Sequence, residues 1–285
     1  MIKLSEYSVT TPLPKEGKSV ARTFQPGESL TPVLAYVEKG KLWAATTGAT
    51  TESVKRTRCE IVGKEFYFKD HERHVSEMVW HMTQINWFGK VVFQQMHCDD
   101  GNDPTLKMFA TSSDGGKTGK LTYGLRTTDS SQDPKNLTLL DKVTFADDIE
   151  TRIEIDSQGK ITLTASQGDK SSTIEVSLTK GRAARPHVFH WGPYNQINQG
   201  SDKEPEGDGT MLYWSDITED HQGGSAWIIE QIEKAYAQWL SGELNWQQAQ
   251  EQLNFLSKQT ASIPTSEERA PVYALIKEYK AKITK

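Results

Sequence analysis

Hydrophobic and polar positions alternate with a period of two over most of the first 220 residues. Segments 90–98 (KVVFQQMHC), 105–112 (TLKMFATS), 120–128 (KLTYGLRTT), 150–156 (ETRIEID) and 160–166 (KITLTAS) each read as a short strand with one face turned to a core. Turn-forming clusters such as DDGNDP, SSDGGKTG and DSSQDPKN separate them, and RIEIDSQGKITLT predicts a hairpin around a glycine-containing turn. Many short strands at this spacing predict an all-β fold, an antiparallel β-sandwich. After HQGG at 221–224 the period becomes that of a helix. In SAWIIEQIEKAYAQWL, Ile228, Ile232, Ala235, Tyr236 and Trp239 share one helical face. The helical pattern continues through NWQQAQEQLNFLSKQ and TSEERAPVYALIKEYKAKI. Thr265 stands three residues before Glu268, the spacing of a capping box, although Pro271 blurs that boundary. Two domains are expected, a β domain over 1–220 and a C-terminal α-helical extension over 221–285 with a packing role.

Three segments carry polar groups where a plain strand would have none. In VFHWGPYNQ (188–196), His190, Gly192, Tyr194 and Gln196 share one face, and Phe189, Trp191, Pro193 and Asn195 the other. In residues 48–62, Arg56, Arg58 and Glu60 alternate with Thr57, Cys59 and Ile61; in VVFQQMH, Gln95 and His97 oppose Met96. Each alone has an ordinary explanation, a solvated charged face or a structural histidine. Together they form a cleft of donors with two groups able to move protons. The set lacks the carboxylate pair of glycoside hydrolysis, Ser-His-Asp logic, a metal-ligand cluster and a phosphate-binding glycine loop. No metal and no cofactor are therefore expected. Proton abstraction beside a carboxylate fits the set. Arginine and amide donors neutralise the carboxylate as charge develops, while His and Tyr serve as acid and base. An arginine beside the tyrosine is expected to favour its phenolate. The reaction these groups would fit is β-elimination from a polyuronate.

The three segments resemble the signature blocks of the family 7 polysaccharide lyases, the jelly-roll alginate lyases. Those blocks run roughly R-[ST]-E-L-R, Q-[IV]-H and Y-F-K-A-G-x-Y-x-Q. Here they stand as Arg56-Thr57-Arg58-Cys59-Glu60, Gln95-Met96-His97 and Val188 to Gln196, in the same order over about residues 40–200. The resemblance implies a jelly roll with an open cleft cut endolytically. It implies that Arg56 and Gln95 neutralise the substrate carboxylate and that His97 assists them or acts as base. Tyr194 would be the general acid, and also the base in a syn elimination. Arg58, Glu60, His190 and Gln196 would bind substrate. Three departures stand out. Arg58 and Glu60 exchange the family's Glu and second Arg. His190 replaces a Lys, making its charge conditional on pH. Met96 replaces the Ile or Val linked to epimer preference. Gly192 would let a sugar ring approach the backbone, with a bulge as the alternative. Alginate is the first substrate expected, another polyuronate such as a glucuronan the second. A non-catalytic carbohydrate-binding jelly roll is the rival from another class.

The net charge of −5 argues against nucleic acid as a partner but leaves room for a local cationic cleft and an anionic polysaccharide. No apolar run reaches the roughly 18 residues of a membrane span, and no signal peptide is recognisable at the start. A secreted or periplasmic location would follow from the substrate alone. A monomer is expected. Cys59 and Cys98 read as buried thiols. Their parity turns both sulfurs into the core beneath the cleft, where a disulfide is the alternative.

Overall fold

The computed structural model describes residues 2–33, 36–38, 40–52, 54–98, 103–129, 134–199, 205–222, 224–261, 263 and 266–284. Strands β1 (Ser8–Pro14), β2 (Ala21–Phe24), β3 (Val37–Glu38), β4 (Lys41–Ala45), β5 (Glu60–Val62), β6 (Arg73–Gln84), β7 (Lys90–Cys98) and β8 (Asp103–Thr111) come first. They are followed by β9 (Thr118–Leu125), β10 (Leu137–Thr144), β11 (Ile149–Asp156), β12 (Lys160–Gln167), β13 (Lys170–Ser177), β14 (His187–Asn195) and β15 (Gly209–Gln222). An eight-stranded sheet has the order β10-β9-β8-β7-β14-β5-β1-β2, and a seven-stranded sheet the order β13-β12-β11-β6-β15-β4-β3. Paired strands run antiparallel, as in β7 with β14 and β6 with β15. This is the antiparallel jelly-roll sandwich that the alternation and the resemblance predict.

The inner faces supply one hydrophobic core, in which Ile153, Ile155, Ile161 and Leu163 of the predicted hairpin are fully buried. Trp80 of one sheet meets Phe93 of the other at 4.4 Å between ring centroids. Ser76 Oγ accepts from Gln94 Nε2 at 2.9 Å and from Trp191 Nε1 at 2.8 Å, so these polar groups buried between the sheets are paired.

Register shifts occur in several strand pairs, and two of them adjoin in β7 and β14. Between Val92 and Gln94 the register of β7 against β8 shifts by one residue, and Phe93 and Gln94 both face inward. Between Trp191 and Tyr194, β14 in turn carries one residue more than β7. These are β-bulges, which re-aim side chains where they occur. Val92 is thereby placed with Phe109 and Tyr194 in a small apolar cluster outside the main core.

A short helix, α1 (Lys180–Ala183), precedes β14. Beyond β15 lie α2 (Ser225–Leu240), α3 (Trp246–Thr260) and α4 (Ser266–Lys282). Ile228, Ile232 and Ala235 are buried with Leu253, Leu256, Val272 and Ile276 in a cluster separate from the sandwich core. Asn245 and Gln248 close a capping box at the start of α3. The capping box expected at Thr265 falls outside the described residues, and α4 runs through Pro271. Among the described residues no helix is long and apolar enough to cross a membrane.

Candidate active site

Strand order brings the three polar segments side by side, because β14 lies between β7 and β5. Of the first segment only Glu60–Val62 is regular strand, a departure from the continuous strand that its alternation suggests. Arg56 to Cys59 follow β14 through backbone bonds, Asn195 N–H to Thr57 O at 3.0 Å and Cys59 N–H to Pro193 O at 2.9 Å. Arg58 and Tyr194 are thereby bridged. Beneath them buried Asn195 donates to Ala44 O at 2.8 Å and to Thr57 Oγ1 at 2.9 Å. It also accepts from Asn86 Nδ2 at 2.9 Å and Thr210 Oγ1 at 2.7 Å. The inward neighbour of Tyr194 thus ties β14 to the other sheet.

Gly192 does not open onto the cleft. Its φ is +127°, and a Cβ there would stand 2.2 Å from Cys59 O. The glycine is required by the close approach of the backbone beside it, and the bulge is the reason for it. Cys59 and Cys98 are both buried thiols, not joined to each other. They lie on opposite flanks of β14, one beside Pro193 and the other opposite His187. That separation explains why the disulfide does not form.

On the outer face, Glu60 is the hub. It is 1% exposed and accepts from Gln95 Nε2 at 2.5 Å. Arg58 Nη1 reaches its other oxygen at 3.2 Å, and His190 Nδ1 stands 4.0 Å from that oxygen. Burial alone would raise the Glu60 pKa; Arg58 and the two histidines outweigh it and hold the carboxyl down to about 2. The Arg58 guanidinium lies over the Tyr194 ring, 3.9 Å from its centroid. Arg56 bonds Gln196 Oε1 at 3.1 Å and Asn198 Oδ1 at 3.3 Å, and also meets the Tyr194 hydroxyl. Its described partners are therefore neutral.

His97 is buried and stacks on His190, with ring centroids 4.5 Å apart. Burial first, and the charge of His190 next, push its pKa well below the ordinary histidine value, although Glu60 pulls the other way. Among the described residues neither of its ring nitrogens finds a hydrogen-bond partner, nor do Gln95 Oε1, His190 Nδ1 and Arg58 Nε. So many buried, unpaired polar atoms on one sheet face are costly unless a ligand meets them. Tyr194 is 5% exposed, and burial raises its pKa despite the opposing arginines. The expected drift toward phenolate is thus reversed by desolvation, and the resting group is a phenol.

All eight expected residues come together. The same face also holds Lys90, Lys107 and Phe109, which the sequence reading passed over. Register was the available signal, since Gln95 pairs with Lys107 and Val92 with Phe109.

The structure is a jelly-roll sandwich with a histidine, a tyrosine and arginines gathered on one sheet face. A family model described as alginate lyase matches residues 2–221, and the chain belongs to that family, whose members are polysaccharide lyases. Among solved structures, an alginate lyase from Pseudomonas aeruginosa is similar at 17% identity and TM-score 0.62, over 78% of this chain and 100% of that one. The alginate lyase from Klebsiella pneumoniae gives 15% identity and TM-score 0.61, over 77% and 96%. The exolytic alginate lyase AlyA5 from Zobellia galactanivorans gives 12% and 0.60, over 78% and 96%. At such identities these likenesses bear on the fold alone. No curated protein matches the chain.

Proposed function

We propose that the protein cleaves alginate by metal-independent β-elimination at this cluster. The observation that carries the reading is a buried imidazole without a described partner, together with a buried phenol set beside an arginine whose described partners are neutral. Arg58 has its charge engaged by Glu60, so Arg56 is the arginine left for a substrate carboxylate. Gln95 assists with the second N–H of its amide, whose orientation Glu60 sets. With the carboxylate neutralised, the neighbouring C–H becomes acidic enough to transfer its proton. His97 takes that proton. The electron pair forms the new C=C bond, the glycosidic C–O bond breaks, and the Tyr194 phenol protonates the leaving oxygen. Glu60 and Arg58 position Gln95 and Tyr194 in this scheme and do not hold substrate. His190 and Gln196 flank the sugar.

The test is the ultraviolet absorbance of the unsaturated uronate product on incubation with alginate and, separately, glucuronan. Absorbance with alginate supports the reading, and absorbance with glucuronan alone moves the substrate. Binding of both polymers without product would make the fold a carbohydrate-binding module.

A further inference from the structure

Where the last strand leaves the sandwich for the helices, three histidines meet that the proposed reaction does not use. His71 precedes β6 and His74 lies in it, while His221 of β15 is the cross-strand partner of His74. The sequence shows no such group, because His221 joins the other two only through the pairing of β6 with β15. His74 is fully buried, and its Nδ1 stands 2.7 Å from Nδ1 of His221. An acceptor faces the other nitrogen of each ring. Phe68 O lies 3.3 Å from His74 Nε2, and a carboxylate oxygen of Glu219 lies 3.4 Å from His221 Nε2. The second contact falls short of full hydrogen-bond geometry. A neutral imidazole carries one N–H, and these acceptors draw it to Nε2 in both rings. Two nitrogen lone pairs then face each other across 2.7 Å and repel unless a positive charge lies between them.

A shared proton would serve that pair, but it leaves out His71, whose buried Nδ1 has no hydrogen-bond partner among the described residues. The three ring centroids are 5.0, 5.1 and 5.6 Å apart. With bonds of about 2.0–2.1 Å at tetrahedral angles, two imidazoles on one zinc ion stand about 5 Å apart between centroids. The rings therefore keep the spacing of a three-histidine site. Phe68 O and Glu219 are placed behind two of them as the outer partners that fix ligand tautomers. Asp220 and Glu268 add negative charge near His71, which suits a dication. As they stand, no three side chains among the described residues are set to hold an ion. Closing the site takes a turn of His71 toward the pair, and a parting of the two Nδ1 atoms from 2.7 Å to about 3.3 Å.

We propose that His71, His74 and His221 bind a divalent first-row ion, zinc by preference, at the junction of the sandwich with the helical extension. Imidazole nitrogen suits zinc and its neighbours and not calcium or magnesium, which take oxygen. The role is structural. His221 stands near the end of β15, and a Cβ on Gly224, just before α2, would lie 3.2 Å from His71 Nε2. An ion held there fixes the path of the chain into α2. The inference does not rest on the lyase reading.

The experiment treats the whole protein with a chelator, removes the chelator and titrates with zinc chloride at pH 7.5. One equivalent is expected to bind, read by competition with a chromophoric chelator. With free zinc a hundredfold above its Kd, the thermal midpoint should rise by about 5 °C. His71→Ala and His221→Gln should each weaken zinc by about a hundredfold or more, beyond the worth of an outer partner. His71 is half-buried, so His71→Ala should keep the wild-type circular dichroism and remain a fair test if His221→Gln does not fold. The stacked pair His97 and His190 also carries unpartnered nitrogens, so the double variant His97→Gln/His190→Gln is the control and should keep its zinc. Zinc lost in that control and kept in His71→Ala would overturn the site by placing the ion on the catalytic face. Failure of wild type to bind zinc would also overturn it and leave a shared proton between His74 and His221. Each reading is independent of whether alginate is cleaved.

Discussion

At the scale of single residues, charge pairing decides the roles. Two arginines face the cleft, and among the described residues only one of them has a carboxylate: Arg58 is bound to Glu60, while Arg56 meets amides and a phenol. Arg56→Lys should therefore lower kcat by about a hundredfold, in the range for losing a donor at developing negative charge. A lysine keeps the charge but cannot offer the planar fork. A loss of less than about threefold in the absorbance assay would transfer the neutralising role to Arg58. Tyr194→Phe removes a hydroxyl and leaves the ring that Arg58 stacks upon. We expect kcat to fall by about 10²–10⁴-fold, the usual worth of an acid or base, with binding of alginate nearly unchanged. A variant retaining a tenth of wild-type activity would show that another group protonates the leaving oxygen. The exchanged order of Arg58 and Glu60 also has a physical consequence. It puts a cation, in place of a carboxylate, on the position bridged to Tyr194.

At the scale of elements, local alternation carried much of the site and non-local geometry the rest. His190, Tyr194, Gln95 and His97 could be assigned to outer faces because a strand has a period of two. The three segments could be grouped because each has polar groups on one parity. What alternation could not show was the pair of bulges, which depends on how β7 is offset against β8 and β14 against β7. Strict parity would have put Phe93 on the face with Gln95, yet it stacks on Trp80 in the core. Lys90 and Phe109 were missed for a related reason, since their place beside Arg56 is set by pairing between distant segments. The Tyr194 phenol was misjudged because burial is a property of the packed sheet and not of its neighbours in sequence. The bulge in β14 is open to test. Gly192→Ala would set a methyl 2.2 Å from Cys59 O at a φ of +127°. We expect a loss of roughly 3 kcal/mol in urea unfolding, in line with backbone strain plus a steric clash. Unfolding that matched wild type would mean that β5 can retreat from β14 at little cost.

At the scale of the whole molecule, the sandwich and the helices meet where three histidines gather. His74 and His221 are cross-strand partners on β6 and β15, with their Nδ1 atoms 2.7 Å apart. His71 lies 5.1 Å from His74 and 5.6 Å from His221 between ring centroids, and Gly224, just before α2, adjoins it. Around them stand Glu219, Asp220 and Glu268, the last from α4. Burial, then the charge of His221, lowers the pKa of His71 to about 4 and that of His74 to about 3. Both fall below the ordinary histidine value, so the unfolded chain takes up these protons before the folded one does. The stability they contribute is complete above about pH 6.5 and is lost as the pH falls toward 4 and then 3. Glu60, held at about 2, adds a second loss at lower pH, between its ordinary value near 4.5 and 2. Protonation of His71 and His74, and of His97, whose pKa is likewise pushed down by burial, should consequently destabilise the fold well before Glu60 is protonated. Thermal unfolding of wild type followed from pH 8 to pH 4.5 should show the midpoint falling below about pH 6.5. His74→Gln removes the most strongly depressed of these groups while leaving Glu60 untouched. Its midpoint is expected to start lower at pH 8 and to decline less steeply on acidification. Parallel curves for the two proteins would mean that the cluster is not where acid first acts.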